Sequence, residues 1–336
     1  MAFHLLFLDS FDHYDSLSLK WTSVPANTSI NLTGDASRTG IGCLYCGTPG
    51  GPQKALGVQT NFIFGGAFYA PVLSGRFLIF YSVAIGDEVL DLTLNVDGSV
   101  SMVVTGSHTP IANSGPGLVS ANEYVYYEVA GNLKGGPGTQ FFLKINGALV
   151  ISVTIDYVYG QIDLLQPSGL FNDQGGFWDD LYIGYSDTPD NIVADMQGAL
   201  RIYPYIPAAN ESPLNWTPLA NTNWQETSQI PEPLDAAYVS SSGAGDIDQY
   251  ELQPVSGEGP IGSFSIPFGQ TVICAKLDSA GSGSVAPDIG GHVGASSALT
   301  TNYEMSTQPY LLNPVTGLPF QPSDFTSTFL GPKRTA

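Results

Sequence analysis

From about Leu73 to Ser186 apolar and polar residues alternate in short runs, the period-two pattern of strands buried on one face. Val89-Leu-Asp-Leu-Thr-Leu-Asn-Val96 alternates, turns at Asp97-Gly98 and returns as Ser99-Val-Ser-Met-Val-Val-Thr105. Tyr124-Val-Tyr-Tyr-Glu-Val-Ala130 is set to pair with Gln140-Phe-Phe-Leu-Lys-Ile-Asn146, and Asn146-Gly147 then leads into Leu149–Ile155. Asp-Gly and Asn-Gly turns let both central residues take positive φ, which matches strand twist and closes hairpins. Arg76–Ala84 is nearly all apolar, as a strand buried on both faces should be. Leu5–Tyr14 reads as a strand followed by polar residues, residues 25–60 as short strands with turns, and Phe177–Gly184 as the closing strand. The pattern predicts an antiparallel β-sandwich that offers a surface for binding or assembly.

A polar run of turn formers, Ser186-Asp-Thr-Pro-Asp190, marks a boundary. We read residues 1–187 as one sandwich, 188–197 as a linker with a short helical turn over Asp190–Gly198, and 198–336 as a second β-sandwich. Further strands are expected within Gly198–Tyr205, Tyr238–Ser242, Gly245–Tyr250, Ile261–Ile266, Gln270–Lys276, His292–Ala298 and Thr300–Leu312. At 336 residues the chain is long enough for two cores. Its 39 Gly, 24 Pro, 17 Tyr and 17 Phe suit short strands and turns, whereas long helices favour Ala, Leu, Glu and Lys. The fold class is all-β.

Ten Lys and Arg against thirty Asp and Glu give a formal charge of −20, which excludes nucleic acid as a partner, because phosphate binding needs clustered cations. The acidity reads as a solvated surface, or as carboxylates converging on calcium or a basic partner. The N-terminal Met1–Asp9 has no basic start or cleavage site, so we expect a protein made in the cytosol without a signal peptide. No stretch reaches a membrane span, so no membrane insertion is expected. Without a secretory route the Asn-x-Ser/Thr sites at Asn27, Asn31, Asn210 and Asn215 carry little meaning. Cys43 and Cys46 form a lone Cys-x-x-Cys, Cys274 lies far away, and His4, His13, His108 and His292 lack zinc-ligand spacing. In an extended chain Cys43 and Cys46 point to opposite faces, so we expect reduced thiols, with a redox pair or an intersubunit disulfide as the alternative.

The Asp-Gly hairpin, the loop before Tyr124-Val-Tyr-Tyr-Glu-Val129, the Phe142–Val150 hairpin and the closing Asp179-Asp-Leu-Tyr-Ile-Gly184 occur in an order that resembles the concanavalin A-like, laminin-G-like jelly-roll superfamily. The resemblance covers residues 1–187. It implies that the Tyr-rich strand neighbours the Asn-Gly hairpin and that the closing strand lies beside Leu5–Phe11. The second half, through Trp216-Thr-Pro-Leu219, Asn223-Trp224, Tyr238-Val-Ser-Ser-Ser242 and Gly245-Asp-Ile-Asp-Gln-Tyr250, resembles a segment of tailed-bacteriophage virion proteins. Asp235-Ala-Ala departs from the Asp-Gly turn of that pattern, and the residues from Pro309 to Phe325 match nothing in it.

Enzymatic readings find little to stand on. Glycoside hydrolysis needs two carboxylates flanking one bond. Asp87-Glu88 and Asp179-Asp180 are adjacent in strands and should diverge, while Asp246 and Asp248 alternate but Glu251 does not. Gly281-Ser-Gly-Ser-Val285 reads as a loop rather than a nucleophile elbow, and the glycine pairs at 135–136 and 175–176 read as turns. No catalytic or cofactor-binding residues are assigned. A structural calcium ion stays open at Asn172, Asp173, Gln174, Asp179 and Asp180, against an Asn-Asp turn followed by solvent-facing acids. Trp178, Trp216 and Trp224 are glycan-stacking candidates by type, against a place in the core. The resemblance implies a non-enzymatic part of a phage particle, in tail, fibre or head surface, partnering other virion proteins and further copies of itself. A capsid-decorating protein, and a host-glycan adhesin or depolymerase, remain as alternatives.

Overall fold

A computed structural model describes residues 3–32, 37–38, 42–47, 50–104, 110–170, 175–255 and 265–336. They form two compact units that divide between Ile202 and Tyr203, with Asp12–Tyr14 belonging to the second.

The strands of the first unit are β1 (Phe3–Asp9), β2 (Thr28–Asn31), β3 (Cys43–Cys46), β4 (Lys54–Gln59), β5 (Asn61–Tyr69), β6 (Gly75–Ser82), β7 (Asp87–Leu94), β8 (Val100–Val104), β9 (Pro110–Asn113), β10 (Tyr124–Asn132), β11 (Gly136–Ile145), β12 (Ala148–Tyr157), β13 (Ile162–Pro167) and β14 (Gly176–Ser186). Among the described residues they make two antiparallel sheets. One runs β12-β11-β10-β5-β14-β3-β2 with β1 also paired to β14, and the other β4-β13-β6-β7-β8-β9. Leu5 opposes Gly184 and Asp9 opposes Leu181, so the closing strand lies beside the first. The Tyr-rich strand adjoins the Asn-Gly hairpin, with Glu128 opposite Lys144.

Inward-facing rings stitch the sheets together. Phe68 stacks on Phe77 at 5.0 Å, Phe62 lies 4.4 Å from Phe80, and Trp178 contacts Phe64, Phe68 and Phe77. Phe77, Leu78, Ile79 and Phe80 are all buried, as the apolar run predicts. Asn146 (φ 47°) and Gly147 (φ 82°) make the expected hairpin turn. At Asp97-Gly98 only Gly98 is left-handed (φ 76°). Asp97 instead accepts hydrogen bonds from the Ser99 amide and hydroxyl, so the expected two-residue turn is a longer loop from Asn95 to Ser99. A Cβ on residue 98 would also meet the Val119 carbonyl oxygen at 2.5 Å.

Residues 188–197, expected as a linker, lie against the first sheet. Pro189–Asp195 forms a 3-10 segment that buries Ile192, and Met196 is buried after it. Lys144 donates to the Val193 carbonyl, and Glu128 accepts from Tyr182 Oη at 2.6 Å and from the Gly198 amide at 2.8 Å. Polar side chains on the outer face of the sheet thus satisfy peptide groups that a free linker would leave to water.

The second unit comprises β15 (Tyr205–Leu214), β16 (Thr217–Pro218), β17 (Val239–Ser240), β18 (Asp248–Pro254), β19 (Gly269–Ala275), β20 (Ser284–Ile289), β21 (His292–Val293), β22 (Ser297–Ala298), β23 (Glu304–Tyr310) and β24 (Leu330–Arg334), with short helices α1 (Asn223–Thr227) and α2 (Asp324–Ser327). A sheet ordered β15-β18-β24-β20-β21, with β22 on β20, is joined by the pairs β16-β17 and β19-β23. The expectation for Ile261–Ile266 falls mostly outside the described residues.

Candidate functional site

The second unit holds a groove of about 800 Å³ walled by Tyr205, Trp216, Tyr238, Cys274, Tyr303 and Leu330. One wall is ordered by Asp235, which accepts from Lys276 at 2.6 Å and from Tyr303 Oη at 3.0 Å, while Lys276 Nζ lies 4.4 Å from the Tyr303 ring centre. The Trp216 indole N–H is buried with no hydrogen-bond partner among the described residues.

Behind Trp216 lies a polar knot. Asp248 is fully buried and accepts from the Trp216 amide at 2.9 Å, from Asn223 Nδ2 and from Tyr250 Oη at 2.8 Å. Asn223 also donates to the Trp216 carbonyl, and Asn210 Oδ1 accepts the Trp224 amide at the start of α1. Thr222 and Gln225 close that helix start with a capping box. Glu226 accepts from the Asn221 amide and side chain, which together hold its carboxyl below the usual range. Residues separated by more than thirty positions in the chain therefore converge on one carboxylate.

The alternating acids considered for hydrolysis part company. Asp246 Oδ2 caps a turn through Ser241 Oγ and the Gly243 amide, Asp248 is inside the knot, and Glu251 is exposed. In the first unit Glu88 pairs with Arg76 at 2.6 Å and accepts from Tyr81, while Asp87 accepts the Glu88 amide.

Asp179 and Asp180 differ from the expected diverging, solvent-facing pair. Both are fully buried, because β14 bulges against β5 between Asp179 and Tyr182 and Asp180 adopts φ 53°. That kink turns both carboxylates onto Arg38, whose amide donates to Asp179 at 2.9 Å and whose guanidinium donates to Asp180 at 2.6 Å. The Ile202 amide completes Asp180 at 2.8 Å. Burial pushes the Asp180 carboxyl up, and Arg38 opposes it. Their companions Asn172, Asp173 and Gln174 lie outside the described residues, as does His108. Among the described residues no three His, Cys, Asp or Glu side chains gather closely enough to hold a metal ion.

Of the tryptophans, Trp178 belongs to the core and donates its indole N–H to the Ser168 carbonyl. Trp216 walls the groove and Trp224 sits half-buried on α1. Cys43, Cys46 and Cys274 form no disulfide, and the strand alternation of β3 puts Cys43 and Cys46 on opposite faces. Burial pushes Cys46 well up, and burial beside Glu232 pushes Cys274 up to about 12.

No protein-family model matches the chain, and no curated protein matches it either. Similar solved structures include an endo-β-1,4-glucuronan lyase of the fungus Trichoderma reesei (14% identity, 55% of this chain and 96% of that one, TM-score 0.38). Others are the receptor-binding domain of botulinum neurotoxin type G (12%, 80% and 77%, 0.39) and a galectin of Caenorhabditis elegans (16%, 41% and 93%, 0.31). At these identities and TM-scores the matches carry no argument about activity or ligand.

Proposed function

We propose that this chain is a non-enzymatic structural component of a tailed-phage particle, working by subunit assembly as a tail, fibre or head-surface protein. The observation that carries the reading is the convergence of the virion-like motif residues. Trp216, Asn223, Asp248 and Tyr250 are four of the residues on which the phage resemblance rests, and they close on one another in a single buried knot. Their role is thereby architectural, since Asp248 spends its acceptor capacity on three internal donors. Three buried acids of the first unit are engaged in the same way, Asp179 and Asp180 by Arg38 and Glu128 by Tyr182. Self-association is the natural mode for such a part, because particle surfaces are built from repeated copies in closed symmetry.

The test is a cryo-EM map of purified particles, with mass spectrometry of the same sample. Density for this chain at a fixed, repeated position is the expected result, and its place on shell or tail separates decoration from tail and fibre roles. A chain missing from particles that infect normally would sink the proposal.

A further inference from the structure

A sheet edge presents unpaired peptide groups, and folded proteins blunt it with short strands, Lys, Pro or bulges. In the first unit β2 and β12 end the larger sheet, and β4 and β9 end the smaller one. Three of these edges are blunted. β2 and β9 are four residues long, β9 opens on Pro110, and β4 opens on Lys54 and carries Gly57 at φ 69°. β12 is ten residues long and contains no Pro, Lys or Gly. Among the described residues its partner is β11 alone. There Ile151–Ile155 pairs residue for residue with Leu143–Thr139, and the register shifts fall on either side, at Val150 and Gly138.

This edge alternates in burial. Ile151 and Tyr157 are buried, Val153 and Ile155 are half-buried, and Ser152, Thr154 and Asp156 are exposed. Val153 and Ile155 thus lie on the inner side and still keep part of their surface in water, since the sheet ends beside them. At the two ends Leu149 and Val158 are 49% and 74% exposed.

We propose that a second copy of this chain docks on β12, antiparallel about a two-fold axis through Thr154, so that two larger sheets run on as one. The register is self-complementary. On the inner side Val153 opposes Ile155 and Ile151 opposes Tyr157; on the outer side Ser152 opposes Asp156 and Thr154 meets its own copy. Beyond the ladder Val158 comes beside Val150 of the second copy. The occupant follows from charge. Each copy carries −20, so two copies repel except where carboxylates are sparse. Asp156 is the one charged side chain on β12. The two-fold keeps the two Asp156 carboxylates four residues apart along the ladder, about 13 Å, beyond the Debye length of about 8 Å at physiological salt. A basic strand would find that single carboxylate to answer it, whereas a copy offers Ser152 as its donor and apolar side chains for the rest. The pairing rests on the assembly reading and names the edge through which copies meet.

Sedimentation velocity of the full chain, across a hundredfold range of concentration and at about 0.05 and 0.5 M salt, tests the pairing. We expect a reversible equilibrium between the 35.5 kDa chain and its dimer, with a Kd that falls as salt rises, because screening relieves the repulsion between acidic copies. Thr154→Glu sets two carboxylates against each other at the axis and should weaken the dimer about fivefold, the scale of two unit charges about 5 Å apart in water. An equimolar mixture of Thr154→Glu and Thr154→Lys chains should form mixed dimers in preference to either variant's own. Both substitutions are at an exposed position and should leave the melting temperature unchanged. A chain that stays monomeric at every concentration and salt overturns the proposal, as does a dimer that salt weakens or that neither variant nor mixture shifts. A monomeric chain found on particles would overturn the pairing and spare the assembly reading. A dimer that responds as expected but is missing from particles would do the reverse.

Discussion

The two units are made of the same kinds of strand but bury very different amounts of apolar surface. Eleven of the fourteen strands of the first unit contribute buried side chains, and Phe62, Phe64, Phe68, Phe77 and Trp178 are sealed between its sheets. In the second, the described apolar residues that are buried are Tyr14, Ala237, Tyr250, Phe268, Val285, Ala286, Pro287 and Phe320. Strands β15, β19 and β23 are half-exposed along most of their length, and Leu214, Leu219, Leu312, Val315 and Leu318 are exposed. Each fully buried large apolar side chain stabilises by about 1.5–3 kcal/mol, so the two units rest on unequal foundations. What the second unit lacks in apolar core it replaces with local polar order, the Asp248 knot and the capped start of α1. Such a unit gains most from surfaces that bury it further, which is what assembly into an array would do.

The comparison breaks most readily at Trp178. Trp178→Ala removes a ring that touches three others and strands the Ser168 carbonyl, and should cost about 3–5 kcal/mol. Scanning calorimetry should resolve two endotherms, with the variant lowering only the more stable one. A single endotherm that moves as a whole would show that the two units share one cooperative core.

Next in size is Asp248→Ala. It leaves the Trp216 amide, Asn223 Nδ2 and Tyr250 Oη without their acceptor and should cost about 3 kcal/mol, since each orphaned buried donor costs about 1–3 kcal/mol before relaxation. The loss should fall on the weaker endotherm alone. A variant as stable as the parent would mean that the knot is solvated and that the second unit rests on something other than polar order.

How much of this the sequence discloses follows from the same contrast. Burial alternates along β11 and β12, whereas β8 and most of β7 and β10 are buried on both faces, so that their polar positions Asp91, Ser101 and Glu128 lie inside as well. β20, Ser284-Val-Ala-Pro-Asp-Ile289, hides its strand, because Pro287 breaks the propensity and its buried Asp288 is satisfied by Gln249 and the Gly291 amide. The short α1 is announced only by its capping residues. Asp179-Asp180 misled through the bulge, since alternation holds only while the register does. The motif residues of the second half were visible, but their convergence on Asp248 is a fact of tertiary structure. An outward row of rings, Tyr45, Tyr69, Tyr124 and Phe177, draws on four distant segments brought together by strand order, whereas attention by residue type goes to tryptophans. Trp178, adjacent to Phe177, points the other way.

A smaller effect tests the charges that the dense unit encloses. Asp91 is buried on β7, 3.7 Å from Arg76 and accepting from Thr93 Oγ1, and burial pushes its carboxyl up to about 6. Between about pH 4 and pH 6 the folded chain holds a proton there that the unfolded chain releases, so this group's stabilisation is present below pH 4 and is lost as pH rises through 6. Denaturant midpoints of the parent and of Asp91→Asn, followed across that window, should differ in slope, with the variant flatter. Parallel curves would mean that Arg76 keeps Asp91 ionised and that the first unit encloses a full ion pair.

The smallest effect concerns the thiols, which report opening in each unit separately. Cys43 and Cys46 are fully buried in β3, a strand hydrogen-bonded on both sides, by β14 and β2. Cys274 is half-buried in β19, whose described partner is β23 alone, on the wall of the groove. A thiol must be both exposed and ionised to react. Raised pKa values slow Cys46 and Cys274 alike, so the order of labelling turns on how often each strand opens. Iodoacetamide under native conditions, followed by peptide mass spectrometry, should mark Cys274 first, with Cys43 and Cys46 labelled only as the whole unit unfolds. Early labelling of Cys43 or Cys46 would place the weak point in the edge of the larger sheet rather than in the sparsely cored unit, and would reverse the ranking of the two.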